Sequence, residues 1–284
     1  MSEAFIEHPS GGVLAAVVDE ADSETRGRVV LAPALGMTTH ELYMPTHVLN
    51  RNGFKVVRFD PRHHVGRSSG EMSEFRLSSL AEDLRVIIEW AKPDLLVAFS
   101  LAARAALRVI SDGTVAHAVL VTPVVDVASS TVAVTGVDYF DMPLARMPES
   151  VELLGLSMSR EFVSDAREHG YDDLGGSKAD GSAVRSSLSL VTGAHDPWVS
   201  HDDVRLVAES AAGAGVPTAL VTVPAATHEL YRHPVLAMRY FKAMTGACLR
   251  TLSGVSTAAG VSIPTLADVI QSVAVMRSRS KAPV

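Results

Sequence analysis

Cysteine is nearly missing from this chain: Cys248 is the single one in 284 residues, so no internal disulfide can form and no thiolate cluster can hold zinc. The histidines are too dispersed to replace it, with no H-x-x-x-H spacing, and no metal or other cofactor is expected. Basic residues are in deficit, 25 Lys and Arg against 32 Asp and Glu for a net charge of −7, which leaves no basic surface for a phosphate backbone and argues against nucleic acid as a partner. No uncharged run reaches the ~18 residues of a membrane span. Residues 1–7, Met-Ser-Glu-Ala-Phe-Ile-Glu, lack the basic start and apolar centre of a signal peptide, so the expectation is a cytoplasmic protein. No internal repeat is visible.

With 47% hydrophobic and 20% charged residues, the chain has the balance of a soluble α/β protein rather than a disordered one. Its length allows one large core with an insertion, and a single domain over residues 1–284 is expected.

The most informative stretch is Leu95–Ile110. Leu95-Leu96-Val97-Ala98-Phe99 reads as a fully buried strand, and from Leu101 onward the small residues, two arginines and Leu107, Val109 and Ile110 read as a helix. Ser100 falls at the break. A serine on a sharp strand-to-helix turn is held clear of the sheet, with the first N–H groups of the helix facing whatever its hydroxyl attacks. The usual pattern is G-x-S-x-G, because the turn crowds neighbouring backbone; here Ala98 and Ala102 are the small residues at those positions. The competing reading is a plain helix N-cap on a buried βα unit.

Around that stretch the chain alternates strands and helices. Strands are expected near residues 12–18, 29–32, 54–59, 118–123, 187–193 and 218–223, with helices near 42–50, 77–92, 202–213, 234–252 and 264–276. Short connections between such elements indicate an α/β fold with a mostly parallel sheet covered on both faces. The loop Pro33-Ala34-Leu35-Gly36 is small enough to lie beneath a substrate, which makes Leu35 a candidate backbone donor to an oxyanion, with Leu101 as the second. An ordinary βα turn explains the same residues.

Between about 124 and 185 the alternation breaks. No buried strand is evident there, and scattered apolar residues, among them Tyr139, Phe140 and Met142, predict a lid of short helices with some side chains lining an acyl pocket. Gly175–Gly181 reads as a flexible exit, and residues 277–284 as a frayed basic tail.

Ser100, Asp196 and His228 each follow a predicted strand, in the chain order of nucleophile-elbow hydrolases. The loops at one edge of a parallel sheet gather, so side chains distant in sequence can meet there. In that arrangement His228 takes the Ser100 proton and Asp196 fixes the imidazole tautomer. His195 competes for the base and Asp126 for the acid; His63 and His64, in the loop 60–70, line the site or are simply polar loop residues. Arg104, Arg108 and the tail from Arg277 to Lys281 can meet an acidic partner or remain solvated.

Several of these runs resemble one family. Phe59-Asp60 through His63-His64-Val65-Gly66 to Ser68-Ser69-Gly70, then Ala98–Arg104, Asp138-Tyr139 with Pro143, and Asp196-Pro197-Trp198-Val199 look like the acyl-carrier-protein thioesterases, also called acyltransferases, of bacterial bioluminescence operons. The likeness runs over roughly residues 28–240. It implies an α/β-hydrolase fold with a lid, catalysis by Ser100, Asp196 and His228, and an acyl carrier protein or acyl thioester as partner. Ala102 stands where the family tends to have serine, and the chain past about 245 departs from it, so a myristoyl preference is not carried over; a polyketide-like chain is an equally open substrate. The expected activity is a serine thioesterase or acyltransferase; a carboxylesterase for small esters and a non-catalytic binding scaffold are the alternatives.

Overall fold

A computed structural model of the chain describes residues 1–172, 183–231, 233–253 and 261–263. The elements run β1 (Ser2–Glu7), β2 (Val13–Asp19), β3 (Gly27–Ala32), α1 (Tyr43–Arg51), β4 (Phe54–Asp60), α2 (Leu77–Ala91), β5 (Leu95–Phe99), α3 (Ala102–Ile110), β6 (His117–Val121), α4 (Val127–Thr135), β7 (Ser150–Leu153), β8 (Leu156–Ser159), α5 (Glu161–Glu168), β9 (Ser187–Gly193), α6 (His201–Gly213), β10 (Thr218–Val223) and α7 (Pro234–Ser253). Eight strands form one sheet in the order β1-β2-β4-β3-β5-β6-β9-β10. From β4 to β10 every pairing is parallel, while β1 and β2 add an antiparallel edge.

β5 shows why the sheet is covered on both faces. Leu96 and Ala98 enter one core with α2, α3 and α6, whereas Leu95, Val97 and Phe99 enter the other with Leu42, Leu49, Tyr240 and Met244 from the α1 and α7 side. Alternation with apolar residues on both faces produces the continuous hydrophobic run seen in the sequence. Each large side chain so buried contributes roughly 1.5–3 kcal/mol relative to exposure.

Two elements depart from expectation. β1, an edge strand with mostly exposed residues, was not expected. The segment between β6 and β9 is not made of helices alone: β7 and β8 form an antiparallel ribbon whose turn residues, Leu154 and Gly155, both have positive φ (54° and 78°). Such a turn matches the twist of a two-residue hairpin. Val151 and Leu153 point into the core while Ser150 and Glu152 face water, a period of two that four residues make easy to overlook. The Gly175–Gly181 exit, the helix expected over 264–276 and the tail 277–284 lie outside the described residues.

Candidate active site

Ser100 sits between β5 and α3 with φ at +51°, a left-handed conformation that costs a residue with a Cβ roughly 1–2 kcal/mol. The elbow is held against that cost by three backbone bonds. The Ser100 N–H donates to Val121 O at 2.9 Å, and its carbonyl accepts from Ala103 N–H at 3.0 Å and Val124 N–H at 3.1 Å. Ala98 and Ala102, both buried, leave room for this turn.

The Ser100 Oγ lies 2.7 Å from His228 Nε2, and His228 Nδ1 lies 2.8 Å from Asp196 Oδ2. A carboxylate only accepts, so Nδ1 carries the imidazole proton and Nε2 accepts the serine hydroxyl. Asp196 has no exposed side-chain surface, and its other oxygen accepts from the N–H groups of Trp198 (2.9 Å) and Val199 (3.1 Å). The Trp198 ring packs on the His228 ring at 4.8 Å. The acid and base loops are tied together by His195 N–H to Ala226 O (2.9 Å), and Tyr240 Oη donates to Thr227 O at 2.6 Å. Burial pushes the Tyr240 phenol well above its usual range, so it remains a donor.

Leu35 and Leu101 line the same cavity, and neither of their N–H groups donates to another group of the described residues. Two uncommitted N–H groups beside a serine hydroxyl are what a developing oxyanion needs. The competing candidates are engaged elsewhere. His195 is exposed, and Asp126 caps α4 by accepting from Ser129 N–H at 2.7 Å.

The five other expected substrate contacts do not line this cavity. His63 pairs with Glu74 at 3.0 Å, and His64 is buried beneath the Ala34–Gly36 loop. Tyr139, Phe140 and Met142 pack onto the main core, their carbonyls gathered by the Arg167 guanidinium. The cavity walls are instead Val124, Val127, Thr131, Val134, Leu153, Leu154 and Trp198. Leu153 and Leu154 belong to the apolar set expected to line an acyl pocket; Val124, Val127, Thr131, Val134 and Trp198 were missed because the short helices expected here were not placed, and the valines were the available signal. The loop 60–70 is likewise held to the framework: Arg62 pairs with buried Asp83 at 2.7 Å, and the Ser68 and Ser69 hydroxyls accept from N–H groups of β2. Arg104 is buried on the carbonyls of Gly170 and Tyr171, so it cannot meet an acidic partner, whereas Arg108 is exposed. Among the described residues no helix is long and apolar enough to cross a membrane.

A family model described as acyl transferase matches residues 20–276. An acyl transferase from Vibrio campbellii is 28% identical over 208 residues, covering 71% of this chain and 67% of the relative. One from Photorhabdus luminescens is 26% identical over 218 residues, covering 72% and 68%. Among solved structures, Est1E from Butyrivibrio proteoclasticus with bound ferulic acid superposes with a TM-score of 0.71 at 15% identity, covering 88% of this chain and 99% of that one. A monoacylglycerol lipase from Paleococcus ferrophilus gives 0.60 at 18% identity, covering 81% and 96%. The fold is therefore that of the α/β-hydrolases.

Proposed function

The chain belongs to the acyl transferase family, and on that premise we propose that it takes an acyl group from a carrier-protein thioester through a covalent acyl-Ser100 intermediate. Family and fold together give the broader chemistry, acyl transfer or hydrolysis. The observation that carries the finer reading is the 2.7 Å contact between the Ser100 hydroxyl and an imidazole backed by a fully buried carboxylate.

In the proposed reaction Ser100 Oγ attacks the thioester carbonyl as its proton passes to His228 Nε2. The new oxyanion accepts from the Leu35 and Leu101 N–H groups. Collapse breaks the C–S bond, and His228 returns the proton to the departing thiolate. Water or an alcohol then attacks the acyl-Ser100 carbonyl with His228 as base, and the serine leaves with the returned proton. Each oxyanion donor is worth about 3 kcal/mol of barrier.

The cavity beside Ser100 is apolar and small, about 30 Å³. A long acyl chain fits only if α4 and the β7–β8 ribbon move apart, and in this reading the segment after β6 is a lid. A small soluble ester asks for less movement than a long acyl chain, which favours a carboxylesterase as the second reading.

Labelling with a fluorophosphonate probe tests the nucleophile: wild type is expected to label and Ser100→Ala not to. Labelling of neither returns the chain to a binding scaffold. Turnover of acyl-carrier thioesters against matching p-nitrophenyl esters then separates the two enzymatic readings. Preference for the thioester, rising with chain length, is expected; best activity on the shortest ester would sink the carrier-protein reading.

A further inference from the structure

We propose that His64 is a positioning residue for acyl transfer: its imidazole fastens the Ala34–Met37 turn so that the Leu35 N–H stays aimed at the oxyanion formed at Ser100. The inference rests on the acyl-Ser100 reading and adds to it a residue that does not touch substrate.

The turn is closed by Met37 N–H to Ala34 O at 3.0 Å, and Gly36 adopts φ +81° at its third position, as a type II turn requires. A turn of this length has a competing form in which the central peptide, here Leu35–Gly36, is flipped. The Gly36 N–H donates to His64 Nε2 at 3.0 Å, a bond that exists in only one of the two forms. Among the described residues no other side chain hydrogen-bonds to residues 33–37. The Leu35 N–H belongs to the preceding Ala34–Leu35 peptide, so His64 acts on it by fastening the turn that carries it, while the Gly36 N–H is itself engaged.

His64 is itself well held. Its Nδ1 lies 3.3 Å from Val65 O, which can only accept, so Nδ1 carries the proton and Nε2 is an acceptor. The ring is 6% exposed and packs on Phe75 at 5.4 Å. Burial also lowers its pKa to about 4, which keeps the ring neutral and Nε2 open to the Gly36 N–H at neutral pH.

Steady-state kinetics on p-nitrophenyl butyrate and inhibition by butylboronic acid, whose tetrahedral serine adduct occupies the oxyanion site, test this in five proteins. These are wild type, Ser100→Ala, His64→Leu, His64→Gln and His64→Asn, each checked for folding by circular dichroism. Glutamine places its amide oxygen near the position of Nε2, whereas asparagine reaches only the position of Nδ1. The expected result is a fall in kcat of about 10- to 100-fold for His64→Leu and His64→Asn, since small misplacements near the chemistry have effects of that order. KM stays within about twofold, boronate affinity falls in parallel with kcat, and His64→Gln recovers most of both. If the leucine variant does not fold, the asparagine and glutamine pair carries the test. Equal kcat in those two, with Ser100→Ala inactive, overturns the role of His64 and leaves the acyl-Ser100 reading standing. Activity retained in Ser100→Ala overturns both.

Discussion

The Asp196 carboxylate accepts three hydrogen bonds, of which a neutral amide can keep only two. One oxygen accepts from the Trp198 and Val199 N–H groups and the other fixes the proton on His228 Nδ1. Asparagine at this position offers an amide N–H₂ that competes for the same nitrogen and favours the opposite tautomer. Asp196→Asn is expected to lower kcat by roughly 10⁴ with little change in KM or thermal midpoint. A loss under tenfold in initial-rate measurements would show that another group orients the base. Gly66 makes a different kind of prediction at the same scale. Its φ is +129°, and an added Cβ would sit 2.5 Å from the Asp60 Cγ. Asp60 cannot retreat, because its oxygens accept from Thr39 N–H at 2.6 Å and Arg67 N–H at 3.0 Å. Gly66→Ala is expected to destabilise by about 2–4 kcal/mol, read as a shift in urea midpoint at unchanged slope.

Strands buried on both faces were legible in the residues; short or exposed ones were not, even where they pair with a sequence neighbour, as β1 does with β2 and β7 with β8. β5 announced itself because both faces are buried, and the loops carrying Ser100, Asp196 and His228 could be located because each follows a run of β-forming residues. β7 and β8 were hidden by their length, and His64 reads in sequence only as a site-lining or polar loop residue because nothing local indicates that it lies beneath Gly36. The residues 139–142 show the same limit: apolar character is visible in sequence, but not whether it faces substrate or core. The structure assigns their order to α5, where Arg167 engages the carbonyls of Tyr139, Phe140 and Met142. Removing that guanidinium leaves partly buried acceptors unpaired, at a cost of roughly 1–3 kcal/mol spent locally. Arg167→Leu is therefore expected to speed amide hydrogen exchange and proteolysis around residues 138–143 while the global urea midpoint moves little. Uniform protection across that segment in the variant would show that core packing alone holds it.

Across the molecule, two buried groups set opposing responses to acid. Burial lowers the His64 pKa to about 4, so between pH 6.5 and 4 the unfolded chain binds a proton that the native chain refuses, and stability falls as pH falls. At about 1.4 kcal/mol per pKa unit the full effect is roughly 3 kcal/mol. Asp83 behaves inversely. Its burial outweighs the pull of Arg62 and raises the carboxyl to about 6, so between pH 6 and 4 the native chain holds a proton that the unfolded chain has lost, and stability rises as pH falls. The two slopes largely cancel below pH 6, and wild type is expected to show a shallow profile there. His64→Gln, which keeps the acceptor but does not titrate, removes one arm; its stability relative to wild type is expected to improve steadily from pH 6.5 to 4. Asp83→Asn removes the other and is expected to lose stability relative to wild type over pH 6 to 4, in addition to a pH-independent cost from the altered Arg62 contact. His8, 3.4 Å from Asp83 and also lowered by burial, adds to the acid-sensitive arm, so the Asp83 variant should fall more steeply than His64 alone dictates. Urea denaturation at half-unit pH intervals separates these outcomes, because a His64→Gln curve parallel to wild type through the whole window would mean that His64 is protonated as readily in the native chain as in the unfolded one, and the neutral acceptor beneath Gly36 would be lost with it.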